Sequence, residues 1–284
     1  MNEESPKLKQ APILPQAPLI SRRSLLKMGI GTVALLAMPD VSAATRCSSI
    51  ITPRQTRGPY FPYDHVVSRP IRENPQKGLS LIEANDHDLT QIKGKAGKAR
   101  GPIVYVQGQL LRHFSSNDAT QENCQPLAGA VIFLWQANFS GRYNHYLDDK
   151  ALSRFHHPKT GMMIERVHDD HFQYWGQAIT DTNGEFLFKT ILPGFYPATD
   201  DWFRPPHLHF SIRATGYPEF VTQTYFAGEA LPDIALIQEL NALDGILRDS
   251  RIQPEQQEQV IVEYRKDSQL KDGLVGSCQF VLPS

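Results

Sequence analysis

His207 and His209 are separated by one residue in the run Arg204-Pro-Pro-His-Leu-His-Phe210. In an extended strand alternate side chains share a face, so both imidazoles point the same way from anchors roughly 6.5–7 Å apart and can chelate one ion. A half-buried strand whose histidines only hydrogen-bond has the same spacing, so the neighbouring residue types decide between the two readings. Those neighbours are phenols. Tyr196 lies eleven residues before His207 in a Pro-Gly-Phe-Tyr-Pro turn, and Tyr143 follows Gly141-Arg142 beyond the apolar run 131–137. Phenol oxygen becomes a good ligand when a strongly charged cation draws off its proton, and a hard trivalent ion does so best. Two imidazoles with two phenolates therefore favour ferric iron. Structural zinc prefers thiolate and imidazole, and calcium and magnesium prefer carboxylate and carbonyl oxygen.

Such donors must be carried by elements that bring distant stretches together. The runs 103–111, 131–137, 185–190, 207–212, 220–226, 259–264 and 277–282 are aromatic or β-branched and bounded by breakers, which predicts strands. Asn183-Gly184, between two such runs, predicts a hairpin turn. Leu236, Leu240, Leu243 and Leu247 recur at helical spacing and predict one helix over 233–247, with these leucines as packing residues. The fold class expected is all-β: a β-sandwich core with peripheral loops and few short helices. Segment 144–175 contains His145, His156, His157, His168 and His171. Its spacing matches neither a zinc finger nor a helical His-Glu-x-x-His motif, so it reads as a solvated loop rooted at Tyr143 that shapes entry to the site.

The chain has 284 residues, with 29 Lys and Arg against 30 Asp and Glu. That length supports a sizeable core, and the absence of a basic excess argues against nucleic acid as a partner. Residues 1–43 read as a twin-arginine export signal: Ser21-Arg22-Arg23-Ser24-Leu25-Leu26-Lys27, an apolar stretch 28–38, then Val41-Ser42-Ala43 as a cleavage site. That stretch is too short to span a bilayer comfortably, so no stable membrane span is expected after processing. Removing five basic and three acidic side chains with this segment leaves 24 against 27, and a mildly acidic mature chain over 44–284. The expected location is periplasmic or secreted. Cys47, Cys124 and Cys278 allow three alternative single disulfides, each leaving one thiol over.

Beyond the four donors, several motifs occur in order: Thr52-Pro-Arg-Gln-Thr-Arg-Gly-Pro-Tyr60-Phe, Val106-Gln-Gly108-Gln-Leu110, Gly141-Arg-Tyr143, Thr180-Asp-Thr-Asn-Gly184, Pro-Gly194-Phe-Tyr196-Pro and Thr222-Gln223-Thr-Tyr225-Phe. Together they resemble the intradiol ring-cleavage dioxygenases, in particular the iron-binding beta subunits of protocatechuate 3,4-dioxygenases. The resemblance covers roughly residues 52–230. It implies one Fe(III) per chain, with Tyr196 and His209 as the axial ligand pair and Tyr143 and His207 as the equatorial pair. It further implies a catechol-type substrate cleaved by O2 between its two hydroxyl carbons to a cis,cis-muconate-type diacid. Displaced Tyr196 would help take up the substrate protons, and Arg204 would stabilise electron-rich substrate. Gln223 matches a glutamine near the substrate and Trp135 an aromatic pocket wall, although both also suit ordinary strand positions. Tyr60 suits a pocket or, more simply, an aromatic core. Ala198 stands where the protocatechuate enzymes carry tryptophan, which leaves the particular catechol open. A homo-oligomer or a partner subunit fits the same resemblance. The alternative is a non-catalytic periplasmic β-sandwich binding module retaining the dioxygenase fold.

Overall fold

The computed structural model describes residues 50–62, 86–114, 124–148, 151–270 and 272–283. The proposed export signal and Cys47 lie outside them. Thirteen strands occur among the described residues: β1 (Ile103–His113), β2 (Cys124–Pro126), β3 (Val131–Trp135), β4 (Arg154–His156), β5 (Met163–Glu165), β6 (Trp175–Ile179), β7 (Glu185–Ile191), β8 (Tyr196–Pro197), β9 (Phe203–Arg204), β10 (His207–Arg213), β11 (Phe220–Ala227), β12 (Ile261–Lys266) and β13 (Gly273–Leu282). Among the described residues two short helices, α1 (Ile234–Leu243) and α2 (Pro254–Gln259), accompany them. Nine strands form one continuous curled sheet in the order β2-β1-β13-β12-β11-β10-β3-β6, with β7 also paired to β1. This is the all-β sandwich expected.

The core fills the space between the two halves of that curl. Phe210 of β10 meets Phe280 of β13 at 5.0 Å between ring centroids, and Phe186 and Phe188 of β7 at 6.4 Å each. Leu208, Phe210 and Ile212 on one face of β10 are completely buried. His207 and His209 on the other face are also buried, so the strand has no solvent side. Central position explains this: β11 flanks β10 on one side and β3 on the other, with His209 opposite Gln223 and Trp135. A strand covered on both faces loses the alternation of apolar and polar residues, unless the polar face forms a site.

All seven predicted strands are present, with ends shifted by a few residues. The strand expected over 259–264 begins later, because Pro254 at the first turn and a Gln253–Gln256 capping box make 254–259 helical. The Asn183-Gly184 turn forms, with Gly184 at φ 73°, but it is not the neck of a hairpin. The strands it joins diverge, β6 pairing with β3 and β7 with β1. α1 stops at Leu243, because the Asp244 carboxylate accepts the N–H groups of Ile246 and Leu247 and turns the chain. Leu236 and Leu240 pack as expected, but Leu243 is 67 % exposed and Leu247 packs separately with Tyr225 and Val260. The short strands β2, β4, β5, β6, β8 and β9 fall outside the predicted set. Among the described residues no helix is long and apolar enough to cross a membrane.

Candidate metal centre and active site

Both histidines are fixed by the ladder of β10. His207 Nδ1 lies 2.6 Å from the Pro205 carbonyl oxygen. A carbonyl only accepts, so the hydrogen-bond network assigns the proton to Nδ1 and leaves a lone pair on Nε2. That Nε2 is 3.1 Å from His209 Nε2 and 3.3 Å from the Tyr143 hydroxyl. His209 is held differently, its ring stacked on Trp135 at 4.7 Å and 12°. Its Nδ1 is buried without a partner among the described residues. Burial first, then the Arg204 charge, holds both imidazoles well below the ordinary histidine pKa, and they are neutral, the form that ligates metal.

The phenols arrive on turns. Asn138 Oδ1 accepts the N–H groups of Ser140 and Arg142, which folds the chain back towards the sheet. Gly141 then adopts φ 76°, and a Cβ there would lie 2.5 Å from the Phe195 carbonyl. At Gly194 a Cβ would lie 2.4 Å from the Phe139 carbonyl and 2.5 Å from the Gly141 nitrogen. Only glycine at both positions lets the two turns touch backbone to backbone, which sets the Tyr143 and Tyr196 rings perpendicular at 5.7 Å. The Tyr196 ring also lies 5.9 Å from that of His207. Burial pushes both phenols above their ordinary pKa, and the Arg204 charge works against that shift.

Arg204, on β9 opposite Tyr196, is buried beside them. Its Nε donates to Asp244 Oδ2 at 2.7 Å and its Nη2 to Gln223 Oε1 at 2.7 Å. Burial alone would lower its pKa, but Tyr196, Tyr225 and Asp244 raise it, so the guanidinium stays charged. Gln223 in turn donates from Nε2 to the Thr56 carbonyl, tying the N-terminal arm to the site. Tyr60, expected either to line the pocket or to serve as a core aromatic, is half-buried at the edge of the core and against the phenols, 4.7 Å from the Tyr143 ring and 6.2 Å from Tyr196.

Tyr143, Tyr196, His207, His209, Arg204, Gln223 and Trp135 thus form one connected cluster. Trp135 takes a position behind His209 as its stacking partner. Asp244, Asp148 and Arg166 also belong to this constellation, and sequence reasoning missed them because a lone charged residue carries no pattern. The His-rich segment is anchored rather than simply solvated. Asp169 is buried and accepts the Arg100 N–H, and His168 stacks on Tyr174 at 5.0 Å. Among the described residues no group of three His, Cys, Asp or Glu side chains could hold a metal. The 207–209 site differs in completing its donors with phenol. Two neutral imidazoles and two buried phenols, with one lone pair fixed towards the shared space, fit a hard ferric ion.

The dioxygenase family model matches residues 76–272. The chain belongs to the intradiol ring-cleavage dioxygenases. It is 31 % identical over 180 residues to the protocatechuate 3,4-dioxygenase beta chain of Burkholderia cepacia, covering 62 % of this chain and 66 % of that one. To the 6-chlorohydroxyquinol 1,2-dioxygenase of Cupriavidus pinatubonensis (strain JMP 134 / LMG 1197) it is 29 % identical over 151 residues, covering 49 % and 45 %. The chain therefore spans less than two thirds of the length of these relatives. Among solved structures, 3-chlorocatechol 1,2-dioxygenase from Rhodococcus opacus 1CP aligns with a TM-score of 0.49 at 19 % identity, over 82 % of this chain and 73 % of that one.

Proposed function

We propose that this chain is a non-haem Fe(III) intradiol dioxygenase that cleaves a catechol-type aromatic diol between its hydroxyl carbons with O2. The observation that carries the reading is the convergence of four donors from three separate stretches, with His207 Nε2 within 3.3 Å of both Tyr143 Oη and His209 Nε2. Tyr143, Tyr196, His207 and His209 would hold the iron. The bound ion would act as a Lewis acid that favours the deprotonated catechol and makes its ring reactive towards oxygen.

The chain's own groups do the rest. Tyr196 lies in the short β8–β9 pair, outside the main sheet, and its phenol would be the donor that leaves and accepts a substrate proton. Arg204 keeps its charge and stands ready for negative charge developing on the ring. Gln223 holds Arg204 and the Thr56 arm in register. Ala198 is exposed two residues beyond Tyr196, which leaves the wall open for a ring substituent. The substrate is protocatechuate or a related catechol.

Export by the twin-arginine route, with 44–284 as the mature catalytic domain, forms part of the same proposal. Cys124 is disulfide-bonded and Cys278 is free, its thiol pushed up to about 12 by burial. A disulfide suits an oxidising compartment.

Purified protein tests the reading directly. It should contain one iron per chain, show the visible phenolate-to-iron absorption, and consume O2 with a member of a catechol, protocatechuate and hydroxyquinol panel to give a ring-opened diacid. Colourless protein that takes up no iron would leave a binding module, and cleavage outside the two hydroxyls would reject the intradiol assignment.

A further inference from the structure

Beneath the two phenols lies a buried ion pair that belongs to the His-rich segment. Arg166 follows β5 and is 3 % exposed. Four of its five N–H donors are used. Its Nε and Nη2 both reach the Gly141 carbonyl, at 3.1 and 2.7 Å, while Nη1 donates to the Leu152 carbonyl at 2.9 Å and Nη2 to Asp148 Oδ1 at 2.7 Å. The other oxygen of Asp148 accepts the Tyr143 backbone N–H at 2.7 Å. The Arg166 guanidinium also stands 5.4 Å from the centre of the Tyr196 ring.

The hairpin that delivers Arg166 is itself braced against the site. Phe155 of β4 packs edge-on to Phe195 at 5.6 Å and against Phe203 at 5.6 Å, the residues preceding Tyr196 and Arg204. At its far end Lys159 pairs with Glu239 on α1, but both side chains are exposed, so this contact braces little. The hairpin therefore spans from the helix to the turns that carry the phenols.

We propose that Arg166 is a positioning residue for the two phenol donors, acting through the Gly141 carbonyl and Asp148. Its planar fork fits two acceptors at once, which a lysine ammonium cannot reproduce at the same angles. One side chain thereby fixes the turn before Tyr143, the N–H of Tyr143 itself and the space beside Tyr196. The hydrogen bonds of Arg166 go to the Gly141 and Leu152 carbonyls and to Asp148, not to a donor atom of the proposed site, so its effect is on phenol geometry. The inference rests on the proposed iron site.

The test compares wild type, Arg166→Lys, the charge-neutral pair Arg166→Met with Asp148→Asn, and Lys159→Ala as a control at the hairpin tip. Each is loaded with Fe(III) supplied as its citrate complex and followed by its visible spectrum and by iron loss to a chelator. The expected result is that Arg166→Lys folds and binds iron with an altered phenolate-to-iron band and loses it about tenfold or more faster, a change of the size seen for outer-shell partners of metal ligands. The neutral pair should show the same change more strongly, and Lys159→Ala should match wild type. Unaltered bands and chelator rates in both Arg166 variants would overturn the proposal. So would failure of Arg166→Lys to fold, which would assign the residue to chain stability alone. Wild type that takes up no iron would refute the parent reading instead, and the two failures are distinguishable.

Discussion

The two kinds of donor are held by opposite means. His207 and His209 sit on a central strand whose neighbours on both sides fix its register, and they need nothing beyond the ladder to face the same way. Tyr143 and Tyr196 sit on turns whose positions depend on a glycine-to-glycine contact and a buried ion pair. Strand-borne donors are set by periodicity. Turn-borne donors are set by contacts between residues far apart in sequence, and their support can be loosened without unfolding the sheet. If the proposed iron site holds, rigid histidines and separately braced phenols would let one phenol leave while the ion stays bound.

The sharpest way to break this comparison is to remove a strand donor. On the proposed site His209→Ala deletes one of two nitrogens and the ring that stacks on Trp135. Iron content and visible colour should both be lost, while the far-ultraviolet signature of the sheet persists. Protein that still bound iron with wild-type colour would show that the imidazole pair does not hold the ion.

Gly141→Ala tests the turn side. A methyl group there meets the Phe195 carbonyl at 2.5 Å and the backbone stays at φ 76°, so strain and overpacking add. The expected cost is about 2–4 kcal/mol of stability. Chemical denaturation measures it, and the visible band of the iron-loaded variant should change because Tyr143 follows two residues later. A neutral substitution would mean that the two turns can part freely.

The same contrast governs what could be read from the sequence. The strands that carry β-branched and aromatic runs were legible, since local residue types and burial agree along them. The clustering of the two histidines and two tyrosines was legible as well, because His-x-His has the period of a strand and each tyrosine follows a glycine, Gly141 or Gly194, in a turn. Arg166, Asp148 and Asp244 were not legible: none belongs to a motif, and the meaning of each arises only when folding buries it against a partner 18 to 40 residues away. The hairpin of β4 and β5, three residues each, is too short for periodicity to register. Leu243 kept the helical spacing but fell beyond the packed face as the helix ended there.

Asp244→Asn sharpens the comparison at Arg204, the fixed charge between the two donor types. The carboxylate is completely buried and holds Arg204 Nε at 2.7 Å, so an amide keeps the shape and removes the charge. The catalytic efficiency of iron-loaded protein should fall about tenfold or more, equivalent to about 1.4 kcal/mol, with iron content unchanged. Loss of iron along with activity would instead make Asp244 part of the support of the phenols.

The smallest effect is expected at the outer end of the histidine strand. Ser211 continues the face of His207 and His209, and its hydroxyl donates to Glu219, which also pairs with Arg57 and Arg213. Burial would raise the Glu219 carboxyl, but Ser211, Arg57 and Arg213 together hold it below its ordinary value of 4.5. The unfolded chain therefore binds the proton more readily, so this contribution is full above about pH 4.5 and disappears as pH falls through the lowered folded value. Half exposure of Arg213 and partial exposure of Glu219 keep it to about 1 kcal/mol or less. Glu219→Gln should lower the melting temperature slightly at neutral pH, and the difference from wild type should close on acidification. Iron content should not change, since the ladder and not this cluster sets the histidines. A variant that lost iron would show that strand-borne donors, like the phenols, depend on bracing from outside the sheet.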